Sequence, residues 1–215
     1  MKTYKCIIWD WNGTLLDDVR LNMEIVNTLL EERGKKLLES REYYLREFDF
    51  PVIDFYRKVG FDLEKEDFTL IARSYAALFN DNYPQAEIFD DACDVLHFIK
   101  HSGKEQVIIS ATEQNYLIKQ VAYFELEHYF TDILGSGNVL GSSKIETAKK
   151  WMSEKGFDPC EVLFVGDTLH DAETAKAIGC DCVLVCRGHN CRDRLEKTGC
   201  KVYENLQFVK EAVKE

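Results

Sequence analysis

Residues 6–14 read CIIWDWNGT and combine an apolar run with a polar turn, which makes them the most informative segment for predicting the fold. Its apolar run, residues 6–9, is continuous rather than alternating, which is typical of a short strand buried on both faces of a sheet. Asp10 follows the run directly, and Gly13 and Thr14 then form a pattern typical of a tight turn. The stretch therefore predicts a buried strand with a carboxylate at its carboxyl end.

Similar apolar runs recur along the chain, separated by segments with helical periodicity. The runs are residues 107–109, 133–134, 162–165 and 182–186, with a weaker one at 202–203. Strands that alternate with helices indicate a parallel sheet covered on both faces. We therefore predict an α/β protein with a Rossmann-like parallel sheet at its core.

The segment between the first two runs breaks this alternation. Residues 10–106 contain no comparable strand, and apolar stripes at 25–30 and 68–79 have helical spacing. We assign residues 1–16 and 85–215 to the α/β core and residues 17–84 to an inserted helical domain. Residues 17–18 and 82–84 are the expected hinges.

Composition narrows the class of partner. The 215 residues carry a formal net charge of −11, which disfavours a broad surface for nucleic acid or anionic membranes. Neither a signal peptide nor an apolar stretch of about 18 residues is visible, so we expect a cytoplasmic protein, with a monomer favoured.

The cysteines cluster near the end of the chain without forming a CxxC pair. Their spacing fits no structural zinc pattern, although a zinc-binding tail stays open as an alternative. We expect reduced thiols, with Cys182 and Cys186 acting as small buried hydrophobes.

Polar side chains follow several of the predicted strands. Asp10 follows the first, Ser110 the second, and Asp167 and Asp171 the fourth, while Lys144 begins a helix after the third. Ligands of open parallel sheets bind at the carboxyl ends of the strands, so we expect these groups to converge. Each Asp alone is typical of a turn or a helix cap. Together they suit Mg²⁺ and a phosphoryl group.

At these motifs the chain resembles the haloacid dehalogenase-like superfamily, and within it the phosphoglycolate phosphatase-like members. IIWDWNGTL, VIIS, the lysine of GSSKIETA and LFVGDTLHD occur in the family's order. The helical insertion lies where that family carries its first type of cap domain. The resemblance implies Mg²⁺-dependent hydrolysis of a small phosphorylated metabolite of the phosphoglycolate or sugar-phosphate class. A carbon–halogen substrate is disfavoured, because GDTLHD retains the acidic metal-binding pattern.

The resemblance also implies a role for each motif residue. Asp10 would be the nucleophile that forms an aspartyl-phosphate, and Lys144 would restrain its carboxylate. The implied metal ligands are Asp10, the backbone carbonyl of Asn12, Asp167 and Asp171. The implied phosphate-binding groups are Ser110, Ala111 and Lys144.

Asn12 departs from the family pattern, which usually has an Asp there to act as general acid and base. Loss of such help costs about 10²–10⁴-fold in rate. Three interpretations stay open. The chain is a slow phosphatase, an enzyme in which another group supplies the proton, or an impaired protein that binds phosphate or regulates, which includes a protein inactivated by an engineered Asp-to-Asn exchange. We expect a hydrolase.

Two histidines lie near the motifs, and we expect both His170 and His189 to be surface residues.

Overall fold

The computed structural model describes residues 4–140 and 144–214, and its core is a parallel six-stranded sheet. The strands are β1 (Cys6–Trp9), β4 (Glu105–Glu113), β5 (Asp132–Ser136), β6 (Val162–Gly166), β7 (Asp181–Val185) and β8 (Lys201–Tyr203). Their order in the sheet is β5-β4-β1-β6-β7-β8, with every neighbouring pair parallel. The predicted α/β fold is confirmed, and each predicted strand lies within or next to an observed one.

The central strand shows why its residues form a strand. All four residues of β1 are fully buried, and they alternate between two apolar layers. Ile7 and Trp9 pack on one face against α5 (Ala92–His101), α6 (Gln114–Tyr123) and α10 (Gln207–Lys214). Cys6 and Ile8 pack on the other against α7 (Lys144–Lys155) and α8 (Leu169–Ile178). A short helix, α9 (Arg192–Glu196), precedes β8.

Residues 18–86 form four α-helices and add no strand to this sheet. They are α1 (Val19–Glu31), α2 (Arg41–Glu47), α3 (Val52–Lys58) and α4 (Phe68–Asn82). An antiparallel ribbon of β2 (Leu16–Asp17) and β3 (Glu87–Ile88) joins the two ends of this segment. Strands of two residues carry too little periodicity to be read from sequence, so this ribbon was not predicted.

Two expectations about burial and membrane contact can be compared with the structure. Cys182 and Cys186 are only half-buried, because β7 lies towards the edge of the sheet beside the three-residue β8. The expectation that they are buried hydrophobes was therefore wrong. Among the described residues, no helix is long and apolar enough to cross a membrane.

Candidate active site

Asp10 lies at the carboxyl end of β1, where the backbone leaves the sheet. Its amide donates to the carbonyl of Val165 on β6 at 2.9 Å, and its side chain is 7% exposed. Burial, together with the neighbouring carboxylates of Asp171 and Asp167, raises the pKa of Asp10 well above its usual range. Lys144 opposes this effect. The carboxylate therefore depends on nearby positive charge to stay ionised.

Lys144 supplies that charge from the first turn of α7. Its Nζ lies 2.7 Å from Oδ1 of Asp10 and 2.6 Å from Oδ1 of Asp171. Burial alone would lower the pKa of Lys144, but the two carboxylates outweigh it and raise the pKa. Lys144 is therefore a fixed cation between two acids. Residues 141–143 of the lysine motif lie outside the described residues.

Asp167 and Asp171 follow β6, and the start of α8 fixes both. Thr168 caps α8 and forms a capping box with Asp171, whose Oδ2 accepts from the Thr168 amide at 2.9 Å. Burial would raise the pKa of Asp171, but Lys144 and Thr168 lower it. Asp167 accepts from the Thr14 hydroxyl at 2.8 Å and from the His189 amide at 2.6 Å. Burial raises the pKa of Asp167 to about 6.

These acids form a compact oxygen cluster. One carboxylate oxygen from each of Asp10, Asp167 and Asp171 lies within 4.8 Å of the others. The space around Asp167 exists only because two neighbours are glycines. A Cβ on Gly13 would lie 2.3 Å from Oδ2 of Asp167, and one on Gly188 would lie 2.1 Å from it. Three buried carboxylates beside one lysine suit a divalent cation with a preference for oxygen ligands.

Ser110 and Ala111 lie on β4, which is longer than predicted. The strand continues to Glu113, and its register against β5 shifts between Ile109 and Glu113. Such an irregularity re-aims side chains at the edge of a sheet. Ser110 and Ala111 line the same cavity as Asp10 and Lys144. The structure therefore brings all the predicted site residues to one end of the sheet.

The side chain of Asn12 is held in one orientation. Its Oδ1 accepts from the Thr112 hydroxyl at 2.7 Å, and its Nδ2 donates to Oδ2 of Asp18 at 2.6 Å. Since a carboxylate cannot donate to Asp18, this arrangement suits an amide at position 12. Asn12 also lines the cavity beside Asp10.

Asp18 and His189 are site residues that sequence reasoning missed. Asp18 was expected in a hinge, but it is fully buried and accepts from the Gly13 amide at 2.9 Å. His189 Nε2 lies 3.2 Å from Oδ1 of Asp18, and its Nδ1 lies 2.8 Å from the Tyr44 hydroxyl. Burial would lower the pKa of His189, but Asp18 and Asp167 raise it to about 9.

Neither histidine lies at the surface, so that expectation was wrong. His189 is 3% exposed and His170 is 6% exposed. The His170 ring stacks on Phe50 at 4.7 Å, and its Nε2 accepts from the Lys144 amide at 3.3 Å. Both rings are buried because their polar atoms find partners in the fold. His170 lies in the first turn of α8 after β6, and His189 lies in the loop after β7. These positions at the carboxyl ends of strands were the available signal.

The sequence profile of the haloacid dehalogenase-like hydrolases matches residues 7–185. The chain belongs to this family. It is 28% identical over 216 residues to phosphoglycolate phosphatase 1 of Pseudomonas aeruginosa. The aligned region covers 94% of this chain and 77% of that protein. The phosphoglycolate phosphatase of Pseudomonas putida is 26% identical, covering 86% of this chain and 71% of that protein.

Solved haloacid dehalogenase-like structures share the fold over the whole chain. A family hydrolase from Streptococcus pneumoniae superposes with a TM-score of 0.83 at 18% identity, covering 100% of both chains. A predicted phosphoglycolate phosphatase from Haemophilus somnus gives 0.80 at 18% identity, covering 99% of each. The family resemblance read from the four motifs is confirmed. The family match and its named relatives support an enzyme of the phosphatase class over a non-catalytic binding protein.

Proposed function

We propose that this chain is a Mg²⁺-dependent phosphatase that passes the phosphoryl group of a small phosphomonoester through Asp10 to water. The observation that carries the proposal is the position of the Asp10 carboxylate. It lines a cavity, lies 2.7 Å from a buried lysine, and belongs to a cluster of three carboxylates. A nucleophile, a fixed cation and hard metal ligands within one cavity are the parts that phosphoryl transfer needs.

The residues present fit a magnesium ion. Asp10, the backbone carbonyl of Asn12 and Asp167 would hold it, with Asp171 binding directly or through water. When bound, the ion would neutralise the excess negative charge of the cluster and of the phosphoryl oxygens. Among the described residues, Lys144 forms ion pairs with Asp10 and Asp171, and the nearby charge of His189 opposes the rise in the pKa of Asp167.

The protein's own groups account for the two transfers. One Asp10 oxygen attacks phosphorus, a new O–P bond forms, and the bond to the leaving alcohol breaks. The Ser110 hydroxyl, the Ala111 amide and Lys144 hold the phosphoryl oxygens, whose charge they stabilise during the reaction. Water then attacks the same phosphorus, and the Asp10 carboxylate is regenerated.

Asn12 sets the limit on this chemistry. Its amide cannot give a proton to the leaving oxygen or take one from water, so the leaving group departs without that help. The expected enzyme is therefore slow with alcohols that leave poorly and faster with those that leave well.

We further propose that residues 17–84 act as a cap that opens and closes over Asp10. The cavity supports this division, because its walls come from the ends of the core strands on one side and from α1–α4 on the other. Residues 17–18 and 82–84, beside the β2–β3 ribbon, would be the hinges.

Phosphate release from p-nitrophenyl phosphate tests the proposal. With Mg²⁺ present, Asp10→Asn is expected to lower turnover by roughly 10⁴-fold or more, as removal of a catalytic nucleophile does elsewhere. Asp193→Asn is the matched control, since Asp193 is exposed on α9 and lies outside the cavity lining and the proposed hinges, and it should retain activity. Equal turnover in Asp10→Asn and the parent, or turnover unaffected by EDTA, would refute the mechanism.

A further inference from the structure

The wall of the cavity that faces Asp10 is apolar and aromatic. It is built by side chains of α1–α4 and the turn before α3, among them Tyr44, Phe48, Phe50, Phe55, Tyr56 and Phe79. The rings pack on one another, with Phe48 centred 5.3 Å from both Tyr44 and Phe55. None of the described residues that these helices contribute to the cavity is charged.

We propose that the substrate's leaving group is a neutral alcohol that carries an aromatic ring. This inference rests on the proposed phosphatase function and names the substrate class of the same site. It replaces the expectation of a phosphoglycolate or a sugar phosphate, which came from resemblance alone.

Three polar side chains of the aromatic wall, those of Asn22, Tyr44 and Tyr75, are already paired within the protein. The Tyr75 hydroxyl donates to Asn22, and the Asn22 amide donates to Asp18 at 2.6 Å. The Tyr44 hydroxyl pairs with His189. The hydroxyls of a sugar would therefore lose their bonds to water without gaining these partners, at a cost for every unpaired group.

The charges around the cavity disfavour a carboxylate on the leaving group. Two cations line the cavity, but Lys144 is held by Asp10 and Asp171, and His189 is held by Asp18. Glu113 adds a negative charge to the lining. None of the arginines of α1–α4 is among the described residues that line the cavity, and Arg20 and Arg57 instead pair with Glu24 and Asp54. A glycolate carboxylate would enter without a free cation among the described lining residues, and burying an unpaired charge is costly.

Two features favour a ring in this space. The cavity has a volume of about 150 Å³, and an apolar cavity of roughly that size holds one benzene ring. Gln120, which also lines it, uses Oε1 to accept from the Trp11 indole at 2.9 Å. Its buried Nε2 has no hydrogen-bond partner among the described residues, so it can donate to a neutral oxygen substituent on the ring.

Asn12 points to the same class independently. Without a general acid, departure is fastest for the alcohols of lowest pKa, and phenols are far better leaving groups than glycolate or sugar hydroxyls. The aromatic cavity wall and the missing general acid at position 12 therefore both favour an aryl phosphate. Benzyl phosphate carries the ring but releases a poor leaving group, so it tests the contribution of the cavity wall alone.

The first test compares substrates and matched non-hydrolysable ligands on the parent protein. Benzyl phosphate and phosphoglycolate both release an alkyl alcohol, so the chemical reactivity of the two esters is similar. The ratio of their kcat/KM values therefore measures which of the two groups the cavity wall prefers. We expect benzyl phosphate to be preferred by about 100-fold or more, as is typical when a competitor leaves buried polar groups unpaired. Calorimetry with benzylphosphonate and phosphonoacetate should show the same order of binding.

A positive charge placed on the wall should weaken this preference for the aromatic ligand. Ala76 on α4 lines the cavity, whereas its neighbour Ala77 is exposed on the same helix. Ala76→Arg is expected to raise phosphoglycolate kcat/KM and to weaken benzylphosphonate binding, each by about tenfold or more. Ala77→Arg should leave both unchanged.

The outcomes separate this inference from the proposed function. Preferential binding of benzylphosphonate without turnover of any ester would refute the phosphatase and uphold the aromatic site. Turnover that favours phosphoglycolate in the parent, with tighter phosphonoacetate binding, would overturn the inference and leave the phosphatase standing. If Ala76→Arg does not fold, the parent's two preferences still decide.

Discussion

Asn12 shows how one side chain is matched to its neighbours. Its amide donates to Asp18 and accepts from Thr112, so both ends of the side chain are fixed. Asp18 in turn accepts from the Gly13 amide and contacts His189. The acid at position 18 and the amide at position 12 therefore form one hydrogen-bonded unit beside the nucleophile.

Replacing that amide should restore general acid catalysis. Asn12→Asp is expected to raise kcat/KM for benzyl phosphate by roughly 10²–10⁴-fold and to change kcat/KM for p-nitrophenyl phosphate far less, because kcat/KM reports the step in which the leaving group departs. The new carboxyl at position 12 would face Asp18 at the present 2.6 Å contact, and the negative charge of Asp18 would raise the pKa of the new carboxyl. The new carboxyl would therefore remain protonated to higher pH, as a general acid must.

Rates for a series of phosphate esters check this prediction. In the parent, kcat/KM should rise steeply as the pKa of the leaving alcohol falls, and Asn12→Asp should flatten that dependence. The same steep dependence in both proteins would show that position 12 has no part in proton transfer.

At the scale of elements, parallel strands bring distant residues together. β1 lies between β4 and β6, so the residues that follow these strands share one edge of the sheet. Asp10, Ser110 and Asp167 meet for this reason, and the start of α7 adds Lys144. The turns around them are packed closely enough that two glycines border Asp167.

Gly188, in the loop after β7, should therefore control metal binding without being a ligand. The Cβ of Gly188→Ala would lie 2.1 Å from Oδ2 of Asp167 and must displace it. We expect the Mg²⁺ concentration for half-maximal activity to rise by about 10–100-fold, as when groups that orient metal ligands are changed.

Gly137→Ala is the matched control, because no atom of residues 4–140 or 144–214 lies within 4 Å of its added Cβ. A Mg²⁺ titration of phosphate release compares the two variants with the parent. Equal Mg²⁺ requirements in all three would contradict the placement of the metal beside Asp167.

The same elements show what could be predicted from sequence. Continuous apolar runs revealed the parallel strands, and because their carboxyl ends share one edge, the motif residues could be placed near one another. The extension of β4 was missed, since residues 110–113 lose the apolar pattern. Asp18 and His189 were missed because their burial depends on partners far apart in sequence, and periodicity carries no signal for such pairing.

In the whole molecule, the cluster of acids should couple metal binding to stability. Three buried carboxylates are held beside Lys144, and their mutual repulsion is relieved when a cation binds the folded state only. At a Mg²⁺ concentration 100 times Kd the gain is about 2.7 kcal/mol. For a domain of this size, that corresponds to a rise in Tm of roughly 5–10 °C.

Calorimetric scans with Mg²⁺ and with EDTA measure this rise. Asp167→Asn should reduce it strongly, while Asp17→Asn, an exposed acid outside the cluster, should keep it. A Tm that does not respond to Mg²⁺ in the parent would argue against metal binding at these residues.

Transfer of the phosphoryl group to the Asp10 carboxylate is the step on which the whole proposed mechanism depends. Because Asn12 cannot activate water, an ester with a good leaving group should phosphorylate the protein faster than water releases it. The direct measurement is peptide mass analysis after p-nitrophenyl phosphate and Mg²⁺ are mixed with the protein and quenched in acid. We predict one added phosphoryl group on the peptide that contains Asp10, absent in Asp10→Asn. Turnover without that modification, or the same modification in Asp10→Asn, would contradict the account.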